Sequence, residues 1–413
     1  MSNMTSSQHA PAGRREGLVI ALGSSLTIVG SVMIAPIIPK LGAHFGPVEA
    51  HADILIPLAI SIPALAIAVF APLAGWLADK VGRKNLLIIA TVLYAFLGMA
   101  PALLNSLPNI VLSRLLFGLA EATIMTCCTT LIADYWRDDE RLKFVNYQVI
   151  AIGVVGAVFF PIGGAMGEHS WRTPFFLYLL PLVLVPLMMK VLWEPAKKVR
   201  DTENVAVSSN DEEGMNVVSL VISYLMIFFG MVLVFVETIQ APILQVHIGI
   251  TSTTQIGSTA GIALLATLVG SLIWTLCRKM IGINGCNVLL FGTLGLGLWI
   301  LSVSKTYEMM LVGVVIHGVG AGLLVPNVMA SVMKSLSKHA RGRGIGGFTS
   351  SLYLGQFVSP LIVSFILAMT GVSINIGVEF MGYFGFALAG FWVVVWIFSR
   401  EKPAMLTNGK TAA

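Results

Sequence analysis

Four ionisable side chains stand inside long apolar stretches of this chain, where such groups are costly and therefore indicate function. They are Arg114, Glu121, Glu237 and His317. A carboxyl group or an imidazole inside a membrane can take up a proton on one side and release it on the other, and histidine titrates near neutral pH. These residue types therefore predict proton or ligand binding rather than bond cleavage.

Arg114 and Glu121 are seven residues apart, which places them on one face of a helix about 10 Å apart along its axis. Gly118 lies between them and leaves room for a ligand or for another helix. Glu121 is near the middle of its apolar stretch. Arg114 is nearer to one end, where a long side chain can extend to the membrane surface. We expect either a functional pair or ion pairs with a neighbouring helix.

Glu237 and His317 are two further candidates for proton binding. When the two halves of the chain are compared, Glu237 aligns with Ser31, which predicts that it faces a central cavity. His317 lies on a stretch rich in glycine. It either takes part in proton transfer or forms a hydrogen bond with a neighbouring backbone carbonyl group. The sequence leaves open which of Glu121, Glu237 and His317 carries the proton.

The composition requires that membrane-spanning helices position these groups. Of the 413 residues, 56% are hydrophobic and only 11% are charged, whereas a soluble domain has roughly 25% charged residues. Apolar stretches of about 20 residues match the hydrocarbon core of a bilayer, where only helices bond all their backbone groups internally. The polar N-terminus followed by a full span argues against a cleavable signal peptide. We predict an all-α protein with twelve spans, at 17–40, 54–78, 85–104, 110–135, 144–167, 174–193, 216–243, 256–277, 286–304, 308–333, 344–370 and 376–399.

Lys and Arg residues collect at one set of span ends. Of the 25 Lys and Arg residues, only Lys40, Arg172 and Lys305 lie at the other set, and Arg114 lies inside a span. Loops rich in Lys and Arg remain in the cytoplasm. We therefore expect both termini to be cytoplasmic, and we interpret the net charge of +5 as a topological signal that needs no nucleic-acid partner.

The chain divides into two similar halves. We predict an N-terminal six-helix bundle at 1–193, a cytoplasmic linker at 194–215 and a C-terminal six-helix bundle at 216–413. Parallel repeats of six helices, related by an axis along the membrane normal, form one known transporter architecture. The matches between the halves are Ala35-Pro36-Ile37 with Ala241-Pro242-Ile243, Gly118 with Gly318, and Gly156 and Pro161 with Gly355 and Pro360.

The loop between the second and third spans carries the most specific motif. It includes Gly75, Asp79, Gly82, Arg83 and Lys84 in the segment GWLADKVGRK. The two glycines allow close helix approach and a tight turn. The carboxylate of Asp79 stands at a helix end, where the N-terminus of a neighbouring helix can hold it. This segment resembles the signature loop of the major facilitator superfamily, G-x-L-a-D-r-x-G-r-k.

The resemblance covers essentially the whole chain and implies the fold of that superfamily. It also implies that Asp79 and Arg83 latch the two halves together in the outward-open state, and that Asp134 pairs with Arg83. The equivalent loop of the second half, at 277–282, keeps a glycine but has no acidic residue. Any such latch is therefore asymmetric.

The fifth span contains Gly156, Pro161, Gly163 and Gly164. This pattern resembles the antiporter motif of drug exporters in the same superfamily, G-x-x-x-G-P-x-x-G-G. It departs from that motif in two ways, because Phe160 replaces the glycine before proline and one residue before the glycine pair is missing. The resemblance favours export, and the departures keep import open.

No metal, cofactor or catalytic chemistry is expected. Cys127, Cys128, Cys277 and Cys286 lack the spacing of metal ligands, and the neighbours Cys127 and Cys128 are interpreted as small packing residues within an apolar run. The glycine-rich segments are not preceded by strands, so they are close-packing sites rather than nucleotide loops. A catalytic constellation is not visible in the sequence.

These observations predict a secondary-active transporter of a bacterial inner membrane rather than an enzyme. The partners expected are a small-molecule substrate, protons and the lipid bilayer, and the protein is expected to be monomeric. The favoured interpretation is a proton-coupled exporter, an antiporter of drugs or amphiphilic metabolites such as a siderophore. The alternatives are a proton-coupled importer of a sugar or organic acid, and a non-transporting receptor or channel on the same scaffold.

Overall fold

The computed structural model describes residues 12–195, 216–337 and 341–399, so most of the predicted linker lies outside the described residues. The described chain is almost entirely helical. The first half contains α1 (Arg14–Val32), α2 (Ile38–Phe45), α3 (Ala52–Val81), α4 (Arg83–Met99), α5 (Leu107–Tyr135), α6 (Asp138–Gly167) and α7 (Leu184–Val191), with 3₁₀ segments at Ala35–Ile37, Ala100–Leu103 and Thr173–Val183. The second half contains α8 (Val217–His247), α9 (Thr253–Val303), α10 (Tyr307–Ser335), α11 (Arg341–Thr370) and α12 (Ile374–Ser399).

Twelve spans result from these helices. Eleven helical segments in the described part of the chain are long and apolar enough to cross a membrane. One of them, α9, has 51 residues and is interrupted at Gly282, whose φ of 71° lies in the left-handed region. Because glycine adopts this conformation without a steric penalty, α9 bends there and provides two spans. The predicted fold class is confirmed.

The first span is less regular than predicted. In the first span, a 3₁₀ segment with Pro36 separates α1 from α2, which has Pro39 in its first turn. Prolines lack the N–H group that a continuous helix requires, so two of them in four residues interrupt it. Pro242, which aligns with Pro36, lies inside the continuous helix α8. The two halves therefore share the sequence pattern here but differ in local geometry.

Large apolar side chains cover the outside of the bundle. Leu272, Phe365 and Met369 are each more than 60% exposed, in spans that contain few charged residues. An exposed apolar surface of this extent requires an apolar solvent. It is the surface that faces lipid, and the protein is a multi-pass membrane protein.

The two halves pack against each other through α6 with α9 and through α3 with α11. Glycines permit the first contact. A side-chain carbon on Gly164 would lie 2.2 Å from the backbone oxygen of Thr253, and one on Gly257 would lie 2.3 Å from that of Phe160. Backbone approach of this kind is typical of membrane helices with small residues at their interface.

Candidate functional site

A cavity of about 460 Å³ lies between the two halves. Helices α1, α3, α5 and α6 line it from the first half, and α8 to α11 line it from the second. The size lies in the range of small-molecule sites, which are mostly apolar with a few polar groups. Three of the four ionisable candidates, Glu121, Glu237 and His317, line this cavity, and Arg114 does not. The apolar wall includes Ile60, Ile67, Phe160, Met231, Phe235 and Leu264.

Glu121 is a buried carboxyl group without a bonded partner. It is only 5% exposed. Among the described residues, no donor hydrogen-bonds to it, and no basic group lies within the 4.0 Å of an ion pair. Its carboxyl group lies close to α1, where a side-chain carbon on Gly30 would lie 3.1 Å from Glu121 Oε1. The carboxyl group is therefore available to a proton or a ligand that enters the cavity.

Arg114 lies about two turns before Glu121 on α5 and is completely buried. Its Nη2 donates a hydrogen bond of 2.8 Å to the carbonyl oxygen of Gly30, and the Tyr178 hydroxyl donates one of 2.8 Å to the same oxygen. The guanidinium carbon lies 3.9 Å from the centre of the Phe117 ring, an arrangement that stabilises a desolvated cation. Arg114 Nε and Nη1 have no hydrogen-bond partner among the described residues. The prediction that Arg114 extends toward the membrane surface is wrong, because a carbonyl group and aromatic rings hold it inside the bundle.

Gly118 does not leave space for a ligand. A side-chain carbon at this position would lie 2.7 Å from both Ala66 Cβ and Pro63 Cα of α3. Of the two expectations for Gly118, close approach of another helix is the one that the structure contains. Helix α5 therefore places Glu121 at the cavity, and α3 packs directly against the preceding turn of α5, at Gly118.

Glu237 and His317 approach the cavity from the second half. Glu237 is 7% exposed and lies in α8 beside Thr238, which also lines the cavity. His317 in α10 is 1% exposed, and its Nε2 lies 3.3 Å from the carbonyl oxygen of Leu233. This contact is the one expected from the structural interpretation of His317, in which a ring nitrogen forms a hydrogen bond with a neighbouring backbone carbonyl group.

Neutral polar side chains also line the cavity, and the sequence analysis missed them. The Thr259 hydroxyl lies 3.2 Å from Gln245 Oε1 and 3.2 Å from the Tyr307 hydroxyl. The hydroxyl group of Tyr353 lies 3.0 Å from Met125 Sδ across the interface between the halves. The signal available in the sequence was an uncharged polar residue within an apolar run, which is common and therefore weak.

The signature loop is held within the first half. Arg83 Nη2 lies 3.1 Å from Asp79 Oδ1, and Arg83 Nη1 pairs with Asp134 Oδ2. The Asp79 side chain is 70% exposed, so the N-terminus of a neighbouring helix does not hold it in this conformation. Glu194, rather than Asp79, lies at the N-terminus of α4. Its carboxylate accepts hydrogen bonds from the backbone N–H groups of Arg83 at 2.6 Å and Lys84 at 2.9 Å.

The two glycines of the signature loop differ in their surroundings. Gly82 has a φ of 104°, which a tight turn between α3 and α4 requires. Gly75 has no close neighbour, because a side-chain carbon there would lie 3.9 Å from Thr126. The expectation of close helix approach therefore does not hold at Gly75 in this conformation.

The segment that resembles the antiporter motif lies at the contact between α6 and α9. Gly164 meets the backbone of Thr253, and the Thr253 hydroxyl donates a hydrogen bond of 2.6 Å to the Gly164 carbonyl oxygen. Gly156 packs against Leu264, and Pro161 packs against Gly261. Gly163 is buried in the same helix. This segment forms part of the seal between the halves at one end of the cavity.

Glu168 closes the same end, which is opposite to the end rich in Lys and Arg. Its Oε1 accepts hydrogen bonds from Ser252 Oγ at 2.6 Å and from the Thr254 N–H at 2.9 Å, at the start of α9. The Lys40 ammonium group donates to the carbonyl oxygens of Gly167, at 2.8 Å, and Glu168. Partial burial raises the pKa of Glu168, but the bonds from Ser252 and Thr254 and the charge of Lys40 outweigh it and lower this pKa to about 2.

No metal centre accompanies these groups. In residues 12–195, 216–337 and 341–399, there is no cluster of three or more His, Cys, Asp or Glu side chains that is able to hold a metal ion.

Comparison with known proteins identifies related sequences along the chain. A family model described as Major Facilitator Superfamily matches residues 20–284 and 220–413. The 3-(3-hydroxy-phenyl)propionate transporter of Escherichia coli K12 is 25% identical over 343 residues, which cover 79% of this chain and 81% of that protein. The class D tetracycline resistance protein of Salmonella ordonez is 26% identical over 401 residues, which cover 94% of this chain and 96% of that protein.

The fold also matches solved transporter structures. The inward-open xylose transporter XylE of E. coli superimposes with a TM-score of 0.72 at 18% sequence identity, and the match covers 94% of this chain and 97% of that chain. An identity this low supports a shared fold and says nothing about the substrate.

Proposed function

The chain belongs to the major facilitator superfamily, and from that premise we propose that it is a proton-coupled exporter of drugs or amphiphilic metabolites, such as a siderophore. The observation that carries the proposal is the cavity between the halves, which combines an apolar wall with one buried carboxyl group from each half, Glu121 and Glu237. An apolar wall suits an amphiphilic substrate, and carboxyl groups suit proton exchange.

Alternating access is the proposed mechanism. The halves at 1–193 and 216–413 rock about the cavity as rigid bodies, joined by the linker at 194–215. With the end rich in Lys and Arg in the cytoplasm, both termini are cytoplasmic and the protein lies in a bacterial inner membrane. The contacts of Gly164 and Glu168 with the start of α9 then close the cavity toward the outside. Release of the substrate outward requires that these contacts break.

Proton coupling is assigned to Glu121 together with Arg114. Within the described part of the chain, no donor bonds to Glu121 in this conformation, and two nitrogens of Arg114 have no acceptor. If rocking lets the two groups pair, or lets water reach Glu121, the proton affinity of the carboxyl group differs between the two conformations. Such a difference is what a coupled transporter needs, because the proton must bind in one state and leave in the other.

Import of an organic acid is the second candidate function. It is favoured by the similarity to the hydroxyphenylpropionate transporter of E. coli. The cavity argues against it, because neither Lys nor Arg is among its described lining residues. Sugar import and a receptor or channel role have no such observation in their favour.

Flux measurements in membrane vesicles test the proposal. Everted vesicles, with and without an imposed proton gradient, are offered a panel of labelled cationic, neutral and anionic aromatic compounds. We expect an accumulation that depends on an acidic interior and that a protonophore abolishes. Accumulation by right-side-out vesicles instead would identify an importer, and flux that no gradient drives uphill would identify a channel.

A further inference from the structure

The charges along the interface between the halves indicate the class of substrate. Glu121 and Glu237 are the only Asp, Glu, Lys or Arg residues among the described lining of the central cavity. Arg114 stands outside this lining, fully buried against Phe117 and bonded to Gly30. A molecule in the cavity therefore meets two carboxyl groups and the imidazole of His317, and it meets no Lys or Arg among the described lining residues.

A second cavity, of about 390 Å³, repeats this pattern closer to the outer end. Helices α2 and α3 line it from the first half, and α8 lines it from the second. Its only Asp, Glu, Lys or Arg residue in the described lining is Asp53, and His247 lies opposite on α8. Lys40 is on α2 as well, but its ammonium group bonds to the carbonyl oxygens of Gly167 and Glu168 and does not line the cavity.

Glu121 supplies evidence that a ligand completes the central site. It is more than nine-tenths buried, it lines the cavity, and it has no hydrogen-bond or ion-pair partner among the described residues. An unpaired carboxylate in an apolar surrounding is costly, and a proton or a cationic group that reaches it offsets part of that cost. The rings of Phe160, Phe235 and Tyr353 also line the cavity and offer faces that attract cations.

We propose that the transported molecule is a cationic amphiphile, in which an amine or a quaternary centre is attached to an apolar body. This inference rests on the proposed function and specifies its substrate. Glu121 and Glu237 are the counter-charges in the central cavity, and Asp53 is the counter-charge that the cation meets next on its way out. An organic anion of the same size meets no Lys or Arg in the described lining of either cavity, and the carboxylates there disfavour it.

A binding experiment with two probes tests the charge preference. The purified full-length protein in detergent is equilibrated with tritiated tetraphenylphosphonium, and unlabelled tetraphenylphosphonium or 3-phenylpropionate is added as competitor. We expect displacement by the cation and none by the carboxylate. Displacement by 3-phenylpropionate, or no binding of tetraphenylphosphonium at millimolar concentration, overturns the inference.

Matched variants locate the counter-charge. Glu237→Gln is expected to weaken tetraphenylphosphonium binding by at least about tenfold, whereas Glu237→Asp keeps the charge and most of the binding. Glu308→Gln is the control, because Glu308 is an exposed carboxylate at the start of α10 that lines neither cavity. Equal binding by the Glu237→Gln and Glu308→Gln proteins, with each variant eluting as a folded monomer, contradicts the assignment.

Asp53 is tested through transport rather than binding. In proteoliposomes, Asp53→Asn is expected to slow export of tetraphenylphosphonium severalfold and to leave its equilibrium binding unchanged. Glu49→Gln is the control, since Glu49 is a nearby carboxylate outside the lining. An Asp53→Asn protein that exports at the wild-type rate removes Asp53 from the path.

These results separate the substrate class from the function. If the protein binds tetraphenylphosphonium but no proton gradient drives its transport, the exporter proposal fails and the charge preference stands. If a proton gradient drives export of neutral or anionic compounds only, the exporter proposal stands and the charge preference fails.

Discussion

Arg114 and Glu121 lie on one helix and contact the same residue of α1, Gly30, yet they do not form an ion pair. Arg114 donates to the Gly30 carbonyl oxygen at 2.8 Å, and a side-chain carbon on Gly30 would lie 3.1 Å from Glu121 Oε1. The absence of a side chain at Gly30 leaves room for the Glu121 carboxyl group. The surroundings of both ionisable groups therefore depend on the position of α1.

Gly30→Ala is expected to disturb this arrangement. The added carbon would lie 3.1 Å from Glu121 Oε1 and 3.1 Å from the Phe117 ring. Overpacking of this kind costs about 1–3 kcal/mol, and the displaced carboxyl group should lower the rate of transport. Gly390→Ala is the control, because a side-chain carbon there has no neighbour within 4 Å and Gly390 lines neither cavity. Thermal unfolding and flux of both variants check the prediction, and equal behaviour would show that Gly30 has no special role.

Glu168→Gln is expected to favour the outward-open state. Oε1 of the carboxylate accepts two hydrogen bonds from the start of α9, and the neutral amide weakens them because it removes the negative charge. A cysteine placed at Thr238 in a cysteine-free background should then react faster with an impermeant maleimide added from outside. Glu308→Gln is the control. An unchanged labelling rate would mean that Glu168 does not hold the outer end closed.

The pH dependence of the same contact follows from the low pKa of Glu168. In the closed state this pKa is about 2, whereas a free glutamate titrates near 4.3. The stabilisation is therefore fully present above about pH 4.3 and is lost only as the pH falls toward 2. Labelling through the outer end should not respond to Glu168 between pH 5.5 and pH 8. Opening across this range in wild type, absent in Glu168→Gln, would contradict the assignment.

Gly164→Ala is expected to prevent the close contact of α6 and α9. The new carbon would lie 2.2 Å from the backbone oxygen of Thr253, and a backbone atom is not displaced as easily as the end of a side chain. The variant should fold but populate the closed state less, so its cavity should be more reactive from outside. Gly346→Ala is the control, since its added carbon meets nothing within 4 Å. Identical labelling of the two variants would exclude Gly164 from the seal.

Much of this architecture is predictable from sequence because the membrane imposes it. Span positions follow from apolar length, and the turn at Gly82 follows from the signature loop. The position of Arg114 was not predictable, because it depends on a carbonyl group in α1 and a ring in the 3₁₀ segment of the sixth span. The position of Glu194 was missed for the same reason, since its partners on α4 lie 110 residues or more away along the chain.

Asp79→Asn tests the signature loop. In the described conformation Asp79 is exposed and pairs with Arg83 of the same half, and exposed pairs contribute about 0–1 kcal/mol. Substrate affinity should therefore be unchanged. If Asp79 joins the halves in the opposite state, turnover should fall. Lys80→Gln in the same loop is the control, and wild-type turnover of Asp79→Asn would show that this loop is not a conformational latch.

The central claim is that the Glu121 carboxyl group couples transport to protons. Glu121→Gln keeps the size of the side chain but has no titrating proton. It should therefore lose accumulation against a gradient and retain exchange of substrate across a membrane without one. Leu272→Ala is the control, because Leu272 faces lipid and is 62% exposed.

The most direct measurement uses one preparation for both activities. Purified protein in liposomes is assayed for uphill transport driven by a pH gradient and for counterflow of labelled substrate at equal pH. The account predicts that Glu121→Gln abolishes the first activity and retains the second when the substrate is saturating, because Glu237 still supplies a counter-charge in the cavity. A Glu121→Gln protein that still concentrates its substrate against a gradient would contradict the account, and Glu237 would become the next candidate for the proton site.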